Sequence, residues 1–311
     1  MYTNLTNRIK NNCTGASTIW TGGKCGMRKY RISSFRGLFG QVLLGLCLLL
    51  PAMSQASAEL IMTAPPRENP EAGAKIYTPL AEHLTILLGE KVIYKHPKNW
   101  LEYQRDLRHD VYDIVFDGPH FVSWRVAHLK HDVLVKLPGT LEFVIVVNKD
   151  DKEIKEMKHL VGKKICGIPP PNLATLTVID QFQNPVRQPI IWGVPGGFPN
   201  VYDTFKKGGC RAAVFRTTFF NKKLSDADRA SMRILYHSKA LPNQAISVSK
   251  RIDSKYKEKI IRSLTLEESG KKAAQGITKR FGGKKAPPFV AANKKEYADH
   301  TLLLEGVVFG W

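Results

Sequence analysis

The sequence predicts an α/β protein built as two lobes, each a mainly parallel sheet flanked by helices. Three observations predict it. Short apolar strand runs alternate with stretches of helical periodicity. The alternation pauses at a continuous apolar strand, residues 142–147, and then restarts. A further strand, residues 244–248, follows the second series, so the chain crosses between the lobes twice.

The first series begins with Leu60-Ile61-Met62-Thr63, a buried strand stopped by Pro65-Pro66. Residues 72–88 repeat apolar side chains at Ile76, Leu80, Leu84 and Leu88, the spacing of a helix face. Pro79 inside this run predicts a helix start near Thr78, with the proline at its first position. Gly89 ends it. Residues 91–94 form the next strand. Residues 99–108 form a helix with Trp100, Tyr103 and Leu107 on one face, and 112–116 a third strand. Asp117-Gly118-Pro119 closes that strand, and a helix runs from His120 to about Leu129.

The second series repeats the order. Residues 158–164 lead into a strand at 165–168, a proline-rich loop and a helix at 173–182. Strands at 189–193 and 211–215 flank a helix at 202–207. The rest is helical over 255–280 and again near 295–304. These boundaries assign 59–142 and 249–311 to lobe 1, and 143–248 to lobe 2 with a hinge strand at each end.

A leader precedes the first strand. Residues 1–58 hold seven of the 47 Lys and Arg and no Asp or Glu, so the net charge of +20 falls to +13 over the remaining 253 residues. A basic stretch from Met27 to Arg36, an apolar run from Val42 to Met53, and Ala56-Ser57-Ala58 make a secretory signal peptide over 27–58, cut before Glu59. The apolar run is too short for a membrane span. Cys47 lacks the small preceding residue of a lipoprotein signal. Residues 1–26 precede a complete signal and read as a mis-annotated extension, with Met27 the start.

Cleavage leaves two cysteines, Cys166 and Cys210. An even count in an oxidising compartment favours a disulfide, the alternative being two buried thiols.

Several function classes find no support. The basic residues are scattered pairs such as Lys163-Lys164 and Lys222-Lys223, outside any nucleic-acid-reading motif. There is no nucleophile–base motif, phosphate-binding glycine loop or dinucleotide fingerprint. His128 and His131 share helical spacing but lack further metal ligands. No enzyme, metal or cofactor is predicted.

Three stretches carry a resemblance: Tyr77-Thr78-Pro79-Leu80-Ala81-Glu82-His83-Leu84 with Leu88-Gly89, the run from Tyr112 to Pro119, and the run from Ile154 to Lys164. In this order and spacing the chain resembles the phosphate/phosphonate-binding proteins of ABC importers, within the type 2 periplasmic binding protein superfamily. The resemblance spans about Leu60 to Tyr297. It implies a clamshell with a double-crossover hinge that closes on a small solute and presents it to an inner-membrane ABC permease. It implies a periplasmic monomer with no nucleic-acid partner. By fold analogy, the strands carrying Cys166 and Cys210 are neighbours. A sensory module reporting to a membrane kinase or chemoreceptor would share fold, export and cleft, and is the alternative reading.

Solutes in such folds meet the loops that leave strand carboxyl ends. After the first strand these are Arg67, Glu68 and Asn69, with Arg67 a candidate anion partner or a loop ion pair. After the third they are Asp117, Gly118 and His120, with Asp117 alternatively a helix cap. Trp100 can stack on a ligand or belong to the core. In lobe 2, Arg216 and Thr217 follow a strand, with Arg216 a second anion candidate or an interlobe ion pair. Family members hold the phosphonate on a Ser/Thr-rich turn at a helix N-terminus. Here that turn is Pro170-Pro171-Asn172-Leu173-Ala174-Thr175, which keeps Asn172 as a cap and Thr175 as one hydroxyl. The reading therefore places a small anionic ligand between Arg67 and Arg216.

Overall fold

The computed structural model describes residues 59–283, 286–298, 300 and 304–305. The signal peptide and the 1–26 extension lie outside the described residues. In chain order the first elements are β1 (Leu60–Thr63), α1 (Pro70–Leu88), β2 (Val92–Tyr94), α2 (Trp100–Arg108), β3 (Ile114–Asp117), α3 (Pro119–His128), β4 (Asp132–Lys136) and the short β5 (Thr140–Leu141). Next come β6 (Phe143–Asn148), β7 (Lys164–Gly167), α4 (Leu173–Asp180), β8 (Ile190–Gly193), α5 (Phe198–Lys206), β9 (Ala212–Arg216), α6 (Thr217–Lys223), α7 (Asp226–Ala230) and β10 (Met232–His237). The chain returns through β11 (Leu241–Pro242) and β12 (Ala245–Val248) to α8 (Ser254–Thr265), α9 (Glu268–Ala273), α10 (Gln275–Phe281) and β13 (Val290–Ala291).

Two sheets organise these elements. One has the order β13-β4-β12-β3-β1-β2, the other β10-β6-β9-β7-β8. Each is built on three parallel strands, β2-β1-β3 and β8-β7-β9. Beyond them each sheet is antiparallel, so the sheets are mixed where the sequence predicted mainly parallel ones. In both, the strand that has just crossed from the other sheet inserts antiparallel beside the third strand: β12 beside β3, and β6 beside β9. The shared order follows from one chain rule applied twice.

The crossings run side by side as the hinge. The ribbon β5–β11 pairs Leu141 with Leu241 and Thr140 with Pro242. Leu137 N–H donates to Gln244 O at 2.9 Å, and the Asn243 amide to Pro138 O at 2.9 Å. The Tyr297 hydroxyl donates to Asn243 O at 2.6 Å, tying the C-terminal segment to the same place.

Helix α1 shows how local chemistry sets the site loop. Asn69 caps it, accepting from Ala72 N–H at 2.8 Å, and Pro70 takes the first helical position. The start predicted at Thr78 is thus eight residues too late. Pro79 lies inside the helix. Burial of Tyr77, Leu80, Ala81, Leu84 and Leu88 against the first sheet outweighs the hydrogen bond that the proline cannot make. Gly89, at φ 70°, ends the helix in the left-handed region, its N–H on Thr85 O.

Three further corrections concern elements. Strands β4 and β10 and helices α6 and α7 were not predicted. The helix predicted over 255–280 is three, α8, α9 and α10; of the one predicted near 295–304, Lys294–Tyr297 is a 3-10 turn, and 299 and 301–303 lie outside the described residues. Cys166 and Cys210 are bonded, with Cα atoms 5.7 Å apart. Cys166 lies on β7 and Cys210 just before β9, its neighbour in the sheet.

Candidate ligand-binding cleft

The segment after β3 in the first sheet and the loop after β7 in the second meet between the sheets. His120 bridges them: its Nε2 lies 3.2 Å from Pro171 O in the loop after β7. An apolar seam also joins them. Leu176 and Ile179 of α4 share a cluster with Tyr103, Phe121 and Trp124 of α2 and α3. Every residue of α4 from Leu173 to Ile179 is buried.

The loop after β1 places Arg67 at this junction. Its guanidinium lies 5.6 Å over the Phe281 ring, and Nη1 is buried without a hydrogen-bond partner among the described residues. Glu68 does not pair with Arg67. Its Oε1 accepts from Arg280 Nε at 3.1 Å, and its Oε2 is buried and unpartnered. The Asn69 amide oxygen is committed to capping α1.

The loop after β3 divides its work. The fully buried Asp117 holds a bidentate pair with Arg125, both contacts at 2.7 Å, and accepts from the Tyr103 hydroxyl. Arg125 Nε adds a bond to Ser247 on the crossover strand β12. The Asp117 carboxylate thus fixes the loop rather than capping α3, whose cap is Gly118. Gly118 gives room to the His120 ring, since a Cβ there would fall 2.7 Å from its Cε1. Burial pushes the His120 imidazole down to about 3, with nearby Asp117 opposing and Arg67 reinforcing the shift. The ring is neutral at neutral pH, and its Nδ1 is unpartnered.

Trp100 is half-buried, its ring 6.1 Å from both Phe121 and Tyr103. It belongs to the aromatic wall rather than projecting alone.

In the second sheet, Asn172 caps α4 by accepting from Ala174 N–H at 3.0 Å. The Thr175 hydroxyl donates to Ile168 O at 2.5 Å. The prolines at 169–171 offer no N–H. This loop is therefore poor in free donors. Arg216 and Thr217 provide them instead. Arg216 is half-buried with Nε unpartnered, and burial alone pulls its guanidinium below the ordinary arginine value. The Thr217 hydroxyl is also buried and unpartnered. Both residues line a cavity of about 320 Å³, together with Glu142, Asn243 and Phe281. Since Arg67 sits over Phe281, that ring joins the two arginines' surroundings.

A larger cavity of about 550 Å³ lies at the far end of α4, lined by Thr177, Asp180, Tyr236 and His300 among others. None of the predicted site residues reaches it. Of the buried polar atoms without a partner among the described residues, Arg216 Nε and Thr217 Oγ1 belong to residues lining the smaller cavity, while Arg67 Nη1, Glu68 Oε2 and His120 Nδ1 belong to the segments that follow β1 and β3.

Two more such atoms belong to residues that sequence reasoning missed. The Tyr77 hydroxyl is buried and unpartnered, and so is Gln244 Oε1. Tyr77 reads as one more core position on α1. Gln244 adjoins Ala245, which pairs with Asp117. Only the register of β12 on β3 puts it near the cleft. Phe281 is remote in sequence from every other member.

Residues 62–297 match the family model described as ABC transporter, phosphonate, periplasmic substrate-binding protein. The chain belongs to this family. It is therefore a periplasmic solute-binding protein of the phosphonate type, from a family that delivers small solutes to ABC permeases and consists of binding proteins rather than enzymes. No curated protein sequence matches it. Among solved structures, XAC2383 from Xanthomonas citri bound to chloride is similar, with a TM-score of 0.60 and 12% identity over 78% of this chain and 95% of that one. PhnD1 from Prochlorococcus marinus, in complex with methylphosphonate, gives 0.54 and 14% over 78% and 96%. The binding protein component of a Pseudomonas aeruginosa ABC phosphonate transporter gives 0.50 and 11% over 76% and 82%. At these identities the likeness is one of fold.

Proposed function

We propose that this phosphonate-type binding protein captures a small anionic solute between its two sheets, with Arg67 and Arg216 as charge partners from opposite sides. The observation that carries the reading is the pair of arginine nitrogens, Arg67 Nη1 and Arg216 Nε, buried without a partner among the described residues, with Phe281 beside both arginines. Burying part of a guanidinium without a counterion is costly, and an anion between the two offsets both costs at once. The contact exists only when the lobes are together, so binding drives closure. Thr217 and Tyr77 supply neutral donors, and Trp100 stays in the wall. Asn172 and Thr175 shape the loop after β7 while their polar atoms serve α4 and Ile168. The moving lobes are 59–142 with 249–311, and 143–248. The protein acts as a monomer, is released by cleavage before Glu59, and performs no chemistry on its solute.

Calorimetry tests the clamp. With the solute that co-purifies with the exported protein, Arg67→Ala and Arg216→Ala should each cost about 3 kcal/mol, roughly a hundredfold in affinity. Binding by both variants within about twofold of wild type, a small fraction of 1 kcal/mol, would refute it.

A further inference from the structure

The cavity of about 550 Å³ lies away from the arginines, at the carboxyl end of α4. That helix has eight residues, so this end stands about 12 Å from the Asn172 cap. Its last residue, Asp180, lines the cavity and is half-buried. A carboxylate is unfavourably placed there, because the aligned peptide dipoles make the carboxyl end of a helix negative. The last turn of α4 carries no basic residue to offset it. Asp180 Oδ2 meets the Gln181 amide at 3.4 Å, a long contact, and no cation pairs with it among the described residues. Burial raises its carboxyl above the ordinary range with no opposing cause. Tyr236 on β10 lines the same cavity, near enough for the Asp180 charge to add to burial in raising its hydroxyl. Leu241 of the β5–β11 ribbon supplies apolar wall. His300 lines it from the C-terminal segment, its backbone N–H donating to Ser123 Oγ of α3 at 3.1 Å.

We infer that this cavity is a second ligand site that takes a small organic cation, with an ammonium head on Asp180 and an apolar body against Tyr236 and Leu241. A cation there answers the carboxylate and the negative helix end together. The aromatic ring beside the carboxylate adds attraction for the charge and surface for the apolar part. The volume lies within the range of small-molecule pockets. A metal ion does not suit it. One carboxylate is too few oxygen ligands, and no cluster of three His, Cys, Asp or Glu occurs among the described residues. Lys239 also lines the cavity, but it is exposed and keeps its hydration, so the half-buried carboxylate sets the preferred sign. The site uses neither Arg67 nor Arg216 and stands independently of the anion reading.

Benzylammonium, benzyl alcohol and benzoate test it, because they put a positive, a neutral and a negative head on one body. Titration calorimetry on the exported, ligand-stripped protein should show saturable benzylammonium binding, roughly tenfold tighter than the alcohol, with benzoate weakest. Asp180→Asn keeps the shape and removes the charge. It should cost benzylammonium roughly tenfold and leave the alcohol unchanged, the low end for a charge-assisted bond because the carboxylate is only half-buried. The same variant should raise the melting temperature of the ligand-free protein, since the helix end then carries one negative charge fewer. Lys239→Ala, at an exposed position that the fold does not need, should tighten benzylammonium by roughly twofold by removing a like charge. Equal binding of the three probes, tighter binding of benzoate, or no saturable binding of benzylammonium would overturn the inference. So would an Asp180→Asn protein that keeps wild-type affinity for benzylammonium, or one whose melting temperature falls, which would give Asp180 a structural partner instead.

Discussion

Replacing Arg216 by methionine should weaken solute capture and, in the same molecule, raise the stability of the ligand-free protein. Arg216 is half-buried, its Nε has no partner among the described residues, and burial is the sole cause that lowers its guanidinium. Among the described residues no charge partner opposes the desolvation. Methionine keeps much of the stem's volume and removes the charge. Exchanging buried ionic groups for apolar ones of similar volume is neutral to stabilising by about 1–4 kcal/mol. The low end applies here because solvent still reaches part of the side chain, giving about 1 kcal/mol. For a protein of this size that is a rise of roughly 2–4 °C in Tm. Affinity should fall by about 3 kcal/mol, near a hundredfold. Scanning calorimetry on ligand-stripped protein measures the first change and titration calorimetry the second. A fall in Tm with affinity within about twofold of wild type, well under 1 kcal/mol, would show that Arg216 has a structural partner and no solute role.

Other consequences follow from the same packing. The Cys166–Cys210 bridge closes a loop of 44 residues, worth about 4 kcal/mol by the chain-entropy model, so reduction should lower the urea midpoint markedly, and an unchanged midpoint would contradict that assignment. Burial holds His120 at about 3 and His131 at about 4, both below the ordinary 6.5. The unfolded chain therefore takes up these protons first. Stability present above the unfolded value should be lost as pH falls toward the folded ones, by up to about 1.4 kcal/mol per pH unit for each ring. Urea midpoints that stay flat across that window would refute it. Arg125→Ala strands the fully buried Asp117 and should cost about 3–5 kcal/mol, with Asp117→Leu/Arg125→Met recovering most of it; a loss under about 1 kcal/mol would mean that the pair is not needed to hold the loop.

What was legible in the sequence was whatever depends on short-range pattern. β1 has the predicted bounds because an apolar run stops at Pro65-Pro66. Asn99 and Asn172 were readable as helix starts because a cap acts within three residues. Helix α1 was misread because Pro79 carries the same local signal as Pro70, and only packing against the sheet decides between them. Strand β4 alternates weakly and gains its place from β12 and β13, both far along the chain. The site followed the same division. Arg67 and Arg216 stood out as candidates by their positions at strand ends. Asp117 sat at such an end too, yet its carboxylate is spent on Arg125, a partner whose role no spacing reveals. Tyr77, Gln244 and Phe281 enter the cleft only through tertiary register.

The central claim is that one small anion sits between Arg67 and Arg216. Native mass spectrometry of the exported protein, taken under conditions that preserve ligands, tests it most directly. Wild type should carry a single small acidic adduct at one per chain, and the Arg67→Ala/Arg216→Ala protein, folded by circular dichroism, should carry none. The same adduct retained at full occupancy by the double variant would contradict the account.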